Sequence, residues 1–448
     1  SCFLADPKSS QPLIHELIFY PATGCAMFRR FVAAAVLIVG TSQFPMGLTV
    51  VTAQQWTRFR GPNGSGISDA KTVPVQWTKD DYRWIAELPG NGHSSPVVWG
   101  DRVFVTSADE AEQTRYLLCL SAEDGSHTWQ RKFAFKSYKH HKNNSSASNT
   151  PTVDGDQVYV LWQSRASSSL VALDHEGQEL WRYDLGPYLH GQGGATSPIL
   201  YEDLVVICND HKTGSALVAV NRTTGKEVWK IPREGKRACY STPCVFAAPN
   251  REPELIFTHC FEGIVGVDPS SGRQKWMIDV FGRHSQRAVG SPIVYGDLVI
   301  GSSGAGGGEK NVVAVQPASS DTPASEIYRI QRAAPHVPTP LIYNDRLFLW
   351  GDGGIVACID AKTGKTIWTG RVRGNYFGSP VCVDGKLYCA DIDGEVVVVE
   401  AADTFKELAR NPVGDQIRST PAVSGGTMFI RSVSHLYAIG GTSNGTSN

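Results

Sequence analysis

The feature that most constrains this chain is a repeat that recurs along most of its length. Each unit opens with a Ser-Pro or Thr-Pro pair followed by apolar residues. Eight such pairs occur, and successive prolines lie 40 to 55 residues apart. These prolines are Pro96, Pro151, Pro198, Pro243, Pro292, Pro340, Pro380 and Pro421. In a chain of short β-forming runs, a period of this length is typical of propeller blades.

The unit at residues 339–371 shows the internal plan of the repeat. Apolar, β-forming runs occupy residues 340–343, 346–350, 355–360 and 365–371, with short turns between them. The first turn, Asn344-Asp345, suits a two-residue hairpin. We therefore predict a four-stranded antiparallel sheet. Such a sheet needs similar neighbours to cover its two faces.

The last unit contains only three β-forming runs, and an isolated run stands near the beginning of the chain. Residues 82–88 have no partner strands before them, and they carry Trp84 as the fourth strand of a unit does. We expect residues 83–88 to complete the last blade, which closes the ring without a covalent bond and removes its open edges. The predicted fold class is all-β: an eight-bladed β-propeller of four-stranded antiparallel blades.

The ends of the chain differ from the repeat. Residues 27–53 have a basic start, an apolar run and a small-residue ending at Ala53, which is typical of a secretory signal peptide, with a short membrane anchor as the alternative. We expect cleavage near Ala53 and a periplasmic or secreted protein. Residues 1–26 are interpreted as an upstream or non-native segment, residues 54–440 as one propeller, and residues 441–448 as a disordered tail.

Charge and cysteine content limit the classes of partner. The formal net charge is −1, so bulk electrostatics favours neither nucleic acid nor an anionic membrane. No run after residue 54 is apolar and long enough to span a bilayer. Eight cysteines follow the predicted signal, and we expect mainly buried free thiols, with Cys239, Cys244 and Cys260 the best candidates for one disulfide. Since no Cys/His spacing is typical of zinc sites, no metal site is predicted.

The Ser/Thr-Pro openings and the Asp…Thr-Gly…Trp endings resemble the PQQ-like (quinoprotein-type) β-propeller repeat family over about residues 90–440. The opening FRGPNGSGIS resembles exported PQQ-like propellers of Planctomycetes-type bacteria. The overall organisation resembles the propeller of the outer-membrane-protein assembly machinery. The resemblance implies that one aromatic residue of each blade docks on its neighbour. The matching residues here are Trp84, Trp129, Trp181, Trp229, Trp276, Tyr328 and Trp368.

The quinone-dependent enzymes of this family have a different set of features. They hold pyrroloquinoline quinone with Ca²⁺, use an Asp base, and often clamp the quinone with a disulfide between adjacent cysteines. This chain has no adjacent cysteines, and its short blades leave little room for the insertions around the cofactor. We therefore predict no catalytic residues and no cofactor. Pyrroloquinoline quinone with Ca²⁺ belongs only to the alternative that the protein is an enzyme.

Candidate binding residues lie in loops that the propeller fold brings to one end of its axial channel. These are the loop before each innermost strand and the loop between the second and third strands. A mixture of Arg, His, Tyr and Asp suits an anionic or polyhydroxylated ligand, or a peptide. A channel mouth can also be polar simply because it is wet. The candidates are His93, Tyr240, Arg287, His336, Asp352, Tyr376 and Arg418.

These observations favour a non-catalytic, monomeric, exported propeller that acts as a scaffold for a protein partner in the cell envelope. One alternative is a PQQ-dependent alcohol or sugar dehydrogenase. Another is a carbohydrate- or polymer-binding module that uses the aromatic and Arg side chains of the channel mouth.

Overall fold

A computed structural model describes residues 55–235, 237–282 and 287–440. The predicted signal peptide, the segment before it and the predicted tail lie outside the described residues. The helices in the described part are two short 3₁₀ turns, Pro62–Gly64 and Lys79–Asp81. None of the described helices is long and apolar enough to cross a membrane.

The described residues form eight four-stranded antiparallel blades, which confirms the predicted fold class. Blade 1 consists of Val97–Trp99, Arg102–Asp109, Thr114–Ser121 and His127–Ala134, and blade 2 of Thr152–Val153, Gln157–Gln163, Ser168–Asp174 and Glu179–Gly186. Blade 3 consists of Ile199–Tyr201, Leu204–Asn209, Ala216–Asn221 and Glu227–Pro232, and blade 4 of Cys244–Phe246, Glu254–His259, Gly263–Val267 and Gln274–Ile278. Blade 5 consists of Ile293–Tyr295, Leu298–Gly304, Lys310–Gln316 and Ser325–Ile330. Blade 6 consists of Leu341–Tyr343, Arg346–Trp350, Ile355–Asp360 and Thr366–Arg371. Blade 7 consists of Val381–Val383, Lys386–Ala390, Glu395–Glu400 and Glu407–Pro412.

Blade 8 is built from both ends of the described chain, as predicted. Its inner three strands are Ala422–Ser424, Thr427–Arg431 and His435–Gly440, and its outermost strand is Tyr82–Glu87. That strand runs antiparallel to His435–Gly440 and places Trp84 opposite Ala438. The strand begins one residue before the predicted start and ends one residue before the predicted end.

Burial explains why the middle strands are continuously apolar and the outer strands are not. Arg102–Asp109 and Thr114–Ser121 are buried at six consecutive positions each, because both of their faces pack against neighbouring blades. The outer strand His127–Ala134 alternates between half-buried and exposed side chains over most of its length. Most of the hydrophobic stabilisation therefore lies between blades, where each face is covered by the next sheet.

The Ser/Thr-Pro motif has a structural role that links all eight blades. At each of these positions the backbone N–H donates to the hydroxyl oxygen of the equivalent residue in the next blade, over 2.9 to 3.3 Å. The last of these bonds runs from the N–H of Thr420 to Oγ of Ser95 and closes the circle. We call this ring the hydroxyl belt; it consists of Ser95, Thr150, Ser197, Thr242, Ser291, Thr339, Ser379 and Thr420.

The aromatic residues of the repeat link the blades a second time, farther from the axis. Six of the seven predicted docking residues donate a hydrogen bond to a backbone carbonyl in a turn of the next blade: Trp84, Trp129, Trp181, Trp229, Tyr328 and Trp368. Tyr328 lies against Gly364, whose φ of 71° and lack of Cβ permit the close approach. Trp276 packs toward blade 5 but donates to the carboxylate of Glu254 in its own blade.

The segment before the propeller, residues 55–68, crosses the channel and closes one end of it. We call it the floor segment. Trp56 forms a β-bridge with Val98 of blade 1, and the side chain of Asn63 exchanges two 2.8 Å hydrogen bonds with the backbone of Val245 in blade 4. The short strand Ile67–Ser68 adds in parallel to the inner strand of blade 7. The sequence analysis assigned no structural role to this segment.

Arg60 anchors the floor segment. Its side chain is fully buried. Nη1 donates to the carbonyl of Thr339 at 2.8 Å, and Nη2 donates to that of Pro340 at 3.0 Å. Two further bonds reach the carbonyls of Gly64 and Ser65 within the segment itself. Four carbonyl oxygens thus compensate the cation for its lost hydration, and the floor is tied to blade 6.

Candidate functional site

The loops that the sequence analysis grouped meet at the end of the channel opposite the floor. In blade 6, the backbone N–H groups of His336 and Val337 donate to the carboxylate of Asp352 at 2.8 and 3.1 Å. The loop before the first strand therefore contacts the turn between the second and third strands. At the other end of the same blade, the N–H of Ala361 donates to the carbonyl of Asp345. The candidate site is thus an open mouth above a closed floor.

The mouth holds a cavity of about 520 Å³. Its lining brings together four of the seven candidate residues, namely Tyr240, Arg287, His336 and Asp352. A narrower space of about 140 Å³ continues past the hydroxyl belt to Phe59 of the floor segment, and it is lined by His93 and Arg418. Tyr240 and Phe377 line both spaces, so the two are continuous.

Tyr376 does not lie at the mouth. Its side chain is fully buried in the core, its hydroxyl donates to the carbonyl of Arg373, and its ring packs edge-on at 5.3 Å from that of Trp350. Its neighbour Phe377 lines the channel instead.

One position of the repeat, the residue three before each repeat proline, lines the channel in all eight blades. These residues are His93, Ser148, Ala195, Tyr240, Val289, Val337, Phe377 and Arg418. Tyr376 and His336 both stand four residues before their prolines, but of these two only His336 lines the cavity. Sequence spacing alone therefore does not fix the direction of the side chain at that position.

One side of the mouth holds buried side-chain nitrogens without partners. Nη1 of Arg287 and Nε2 of His336 are buried and have no hydrogen-bond partner among the described residues. Asp352, by contrast, accepts the two backbone bonds given above and a 3.0 Å ion pair from Lys310. Burial lowers the pKa of His336, and the charges of Lys310 and Arg287 lower it further, although Asp352 opposes them.

The other side of the mouth also has a histidine with a lowered pKa and buried side-chain nitrogens without partners. Burial lowers the pKa of His93 to about 3, with help from Arg431 and Arg418. Arg431 is fully buried, and none of its three side-chain nitrogens has a partner in the part of the chain that the structure describes. Burial lowers the pKa of His190 to about 4, and Arg287 again contributes. Burial is the first cause of each lowered pKa and nearby cations add to it, so the mouth disfavours a protonated imidazole at His93, His190 and His336.

These residues do not fit a calcium ion. Ca²⁺ takes about six to eight oxygen ligands, most of them carboxylate or carbonyl oxygens. Asp352 is the only carboxylate among the described residues that line the larger cavity, and Lys310 and two backbone N–H groups already occupy it. The positive lining repels a second cation as well. No reaction step that depends on a Ca²⁺-bound quinone follows from this geometry.

This chain is similar to a known protein family over more than half of its length. The family described as outer membrane protein assembly factor BamB matches residues 69–249 and 329–407. A curated relative, polyvinylalcohol dehydrogenase from Pseudomonas sp, is 26% identical over 199 residues. That match covers 40% of this chain and only 29% of the relative, so the chain matches well under half of that protein.

Two solved structures share the fold at low identity. BamB from Moraxella catarrhalis aligns with a TM-score of 0.55 and 14% identity, over 79% of this chain and 96% of that one. A europium-containing methanol dehydrogenase aligns with a TM-score of 0.64 and 12% identity, over 86% and 98%. Identities this low show the shared propeller and nothing of its chemistry. The family match, however, extends over more than half of the chain, and the protein therefore belongs to the PQQ-like propeller family described as outer membrane protein assembly factor BamB.

Proposed function

We propose that this protein is a non-catalytic, exported propeller that binds an acidic segment of a protein partner in the cell envelope. The observation that carries the proposal is the contrast within the channel mouth. Buried nitrogens of Arg287 and Arg431 lack partners among the described residues, while Asp352, the one carboxylate among the described residues that line the larger cavity, is already paired with Lys310. A partner that supplies carboxylates would satisfy these groups.

The shape and chemistry of the mouth support a peptide segment. A cavity of about 520 Å³ accommodates a few side chains, and the closed floor prevents passage through the ring. Arg287 can bind a carboxylate with two parallel hydrogen bonds. Tyr240 and Phe377 offer apolar contact beside it. A neutral polysaccharide would leave the charge of Arg287 uncompensated, so the positive lining favours an acidic ligand over a neutral sugar.

The family adds the expected cellular setting. Its description as an outer membrane protein assembly factor supports a protein partner and a location in the envelope. The names of two relatives include the word dehydrogenase, which supports the rival proposal of quinone-dependent oxidation. The poor fit of the mouth to Ca²⁺ weighs against that rival.

A cross-linking experiment tests the proposal. A photo-reactive amino acid at Phe377, inside the mouth, should give discrete adducts with envelope proteins, whereas the same group at Leu180, on the exposed outer edge of blade 2, should not. Arg287→Ala should weaken adduct formation at the mouth by about tenfold or more, because a charged hydrogen-bonded contact is removed. Arg273→Ala, an exposed arginine in a turn at the floor end, is the matched control and should change nothing.

Two results would contradict the proposal. Adducts that form equally well with Arg287→Ala would show that the mouth does not recognise charge. Saturable binding of pyrroloquinoline quinone with Ca²⁺, followed by alcohol-dependent dye reduction, would establish the enzyme instead.

A further inference from the structure

Blade 4 contains a cluster of metal-ligating side chains that lies outside the channel mouth. Cys239 belongs to the loop that leads into the blade, His259 ends the strand Glu254–His259, and Cys260 follows it. One donor atom from each residue lies within 4.8 Å of the other two, and all three residues are buried. The backbone N–H of Cys260 also points to Sγ of Cys239 at 3.4 Å. The fold thus assembles donors that are 21 residues apart in the chain.

We propose that Cys239, His259 and Cys260 bind a divalent cation of the zinc class. Two thiolates and one imidazole are ligands that Zn²⁺ prefers, and a water molecule or a carboxylate can complete a tetrahedral site. Each thiol releases its proton when its sulfur binds, so the uptake of one Zn²⁺ releases two protons and leaves the three-ligand site neutral. Because the spacing of these residues matches no zinc motif, no metal site is predicted from the sequence.

A buried network of charged groups lies beside the cluster. The guanidinium of Arg233 contacts two carboxylates, Asp210 at 3.4 Å and Glu262 at 2.8 Å.

Buried polar atoms near the cluster also lack partners. Nε2 of His259 and Oδ1 of Asp210 have none within the described ranges. Nδ1 of His259 accepts a single long bond, 3.3 Å, from the N–H of Phe261. A bound metal ion or its water ligand would provide partners for these buried polar atoms, which natural proteins seldom leave without one.

A third cysteine of the same blade provides the control. All eight described cysteines are unbridged. Cys244 is as deeply buried as Cys239, but it packs in the apolar cluster between blades 4 and 5, beside Ile256 and Val313. Its thiol is equally hidden and has no imidazole beside it in that cluster, so it should not bind a metal.

Cobalt binding tests the proposal on the full chain. The purified protein is reduced, stripped with a chelator and titrated with Co²⁺, which gives a thiolate-to-cobalt charge-transfer band only when sulfur binds. The expected result is one Co²⁺ per chain, displaced by Zn²⁺. Cys239→Ser and Cys260→Ser should each remove the band, and His259→Gln should weaken binding at least tenfold. Cys244→Ser should bind Co²⁺ as the unmodified protein does.

Folding of each variant is checked by near-UV circular dichroism without metal, so that loss of binding is not confused with loss of structure. Two outcomes would overturn the proposal. One is the absence of the charge-transfer band in a folded, fully reduced protein. The other is equal Co²⁺ binding by Cys239→Ser. If peptide mapping finds a Cys239–Cys260 disulfide in the isolated protein and Co²⁺ does not bind after reduction, the pair is a structural cross-link and the metal site is rejected.

Discussion

The two ends of the channel are built on the same eight blades, yet buried guanidinium nitrogens have hydrogen-bond partners at one end and lack them at the other. At the floor, the guanidinium of Arg60 donates to four carbonyl oxygens. At the mouth, Arg431 is equally buried and has no partner among the described residues, and Nη1 of Arg287 is in the same state.

This difference separates the charged residues that stabilise the fold from those that are available to bind a ligand. A buried charge whose hydrogen bonds are all made contributes to a single well-defined fold, whereas one without partners costs stability and remains available to a ligand. We therefore expect substitutions to lose stability at the floor end of the channel and to lose binding at the mouth. The predictions below test that gradient, beginning with the largest effect.

Trp368→Ala should have the largest effect on stability. The indole of Trp368 donates to the carbonyl of Ala402 in the floor-side turn of blade 7 and packs 5.4 Å from the ring of Phe405. Emptying this site should cost about 3–5 kcal/mol in the free energy of unfolding. Denaturant unfolding measures this, with the exposed neighbour Ile367→Ala as the control. A loss below about 1 kcal/mol would show that the indole does not hold the blades together.

Arg60→Ala should come next. It leaves four carbonyl oxygens without a donor and opens a space beneath the channel, so we expect a loss of about 3 kcal/mol. Arg287→Ala at the mouth removes a cation that lacks a partner, and it should change stability by only about 0.5 kcal/mol. Thermal and denaturant unfolding of the two variants should be compared side by side. Equal losses would remove the distinction between floor and mouth.

The hydroxyl belt lies between the two ends and should give an intermediate effect. Thr420→Val keeps the shape of the side chain but removes the oxygen that accepts the N–H of Ser379 at 2.9 Å. One buried donor without a partner should cost about 1–2 kcal/mol. Thr366→Val, on the exposed outer strand of blade 6, is the control and should be nearly neutral. A neutral Thr420→Val would mean that the belt is not needed for stability.

The smallest effect should be a pH dependence at the mouth. The pKa of His93 is about 3 in the folded protein, below its ordinary value of 6.5. As pH falls through 6.5, the unfolded chain therefore binds a proton that the folded chain excludes, and stability is lost. The share of His93 should be about 1 kcal/mol near pH 6. His93→Asn should flatten the stability curve between about pH 6.5 and 4. Parallel curves would show that the mouth does not disfavour the protonated imidazole.

Much of the fold follows from local pattern. The proline spacing predicts the number of blades, and the three-stranded last unit predicts that residues near the start complete the ring, because strand period and turn residues are local properties. The floor segment was not foreseen, since Arg60 binds carbonyls of residues 279 and 280 positions away. At the mouth, six of seven candidates lie where the loops meet. Tyr376 lies in the core instead, although His336 stands at the same distance from its proline and lines the cavity, so spacing alone does not fix the direction of this side chain.

The sequence by itself determines the all-β class, the eight blades, the closure by the run predicted at residues 83–88 and the aromatic docking positions, because each depends on spacing within one repeat. Only the tertiary structure decides which side chains from different blades meet and whether they find partners. It supplies partners to the side chain of Arg60, leaves Nη1 of Arg287 without a partner among the described residues, and brings Cys239 to His259 and Cys260. The reason is physical: hydrogen bonding and desolvation depend on three-dimensional neighbours, and in a ring of blades those neighbours are tens to hundreds of residues apart in the chain.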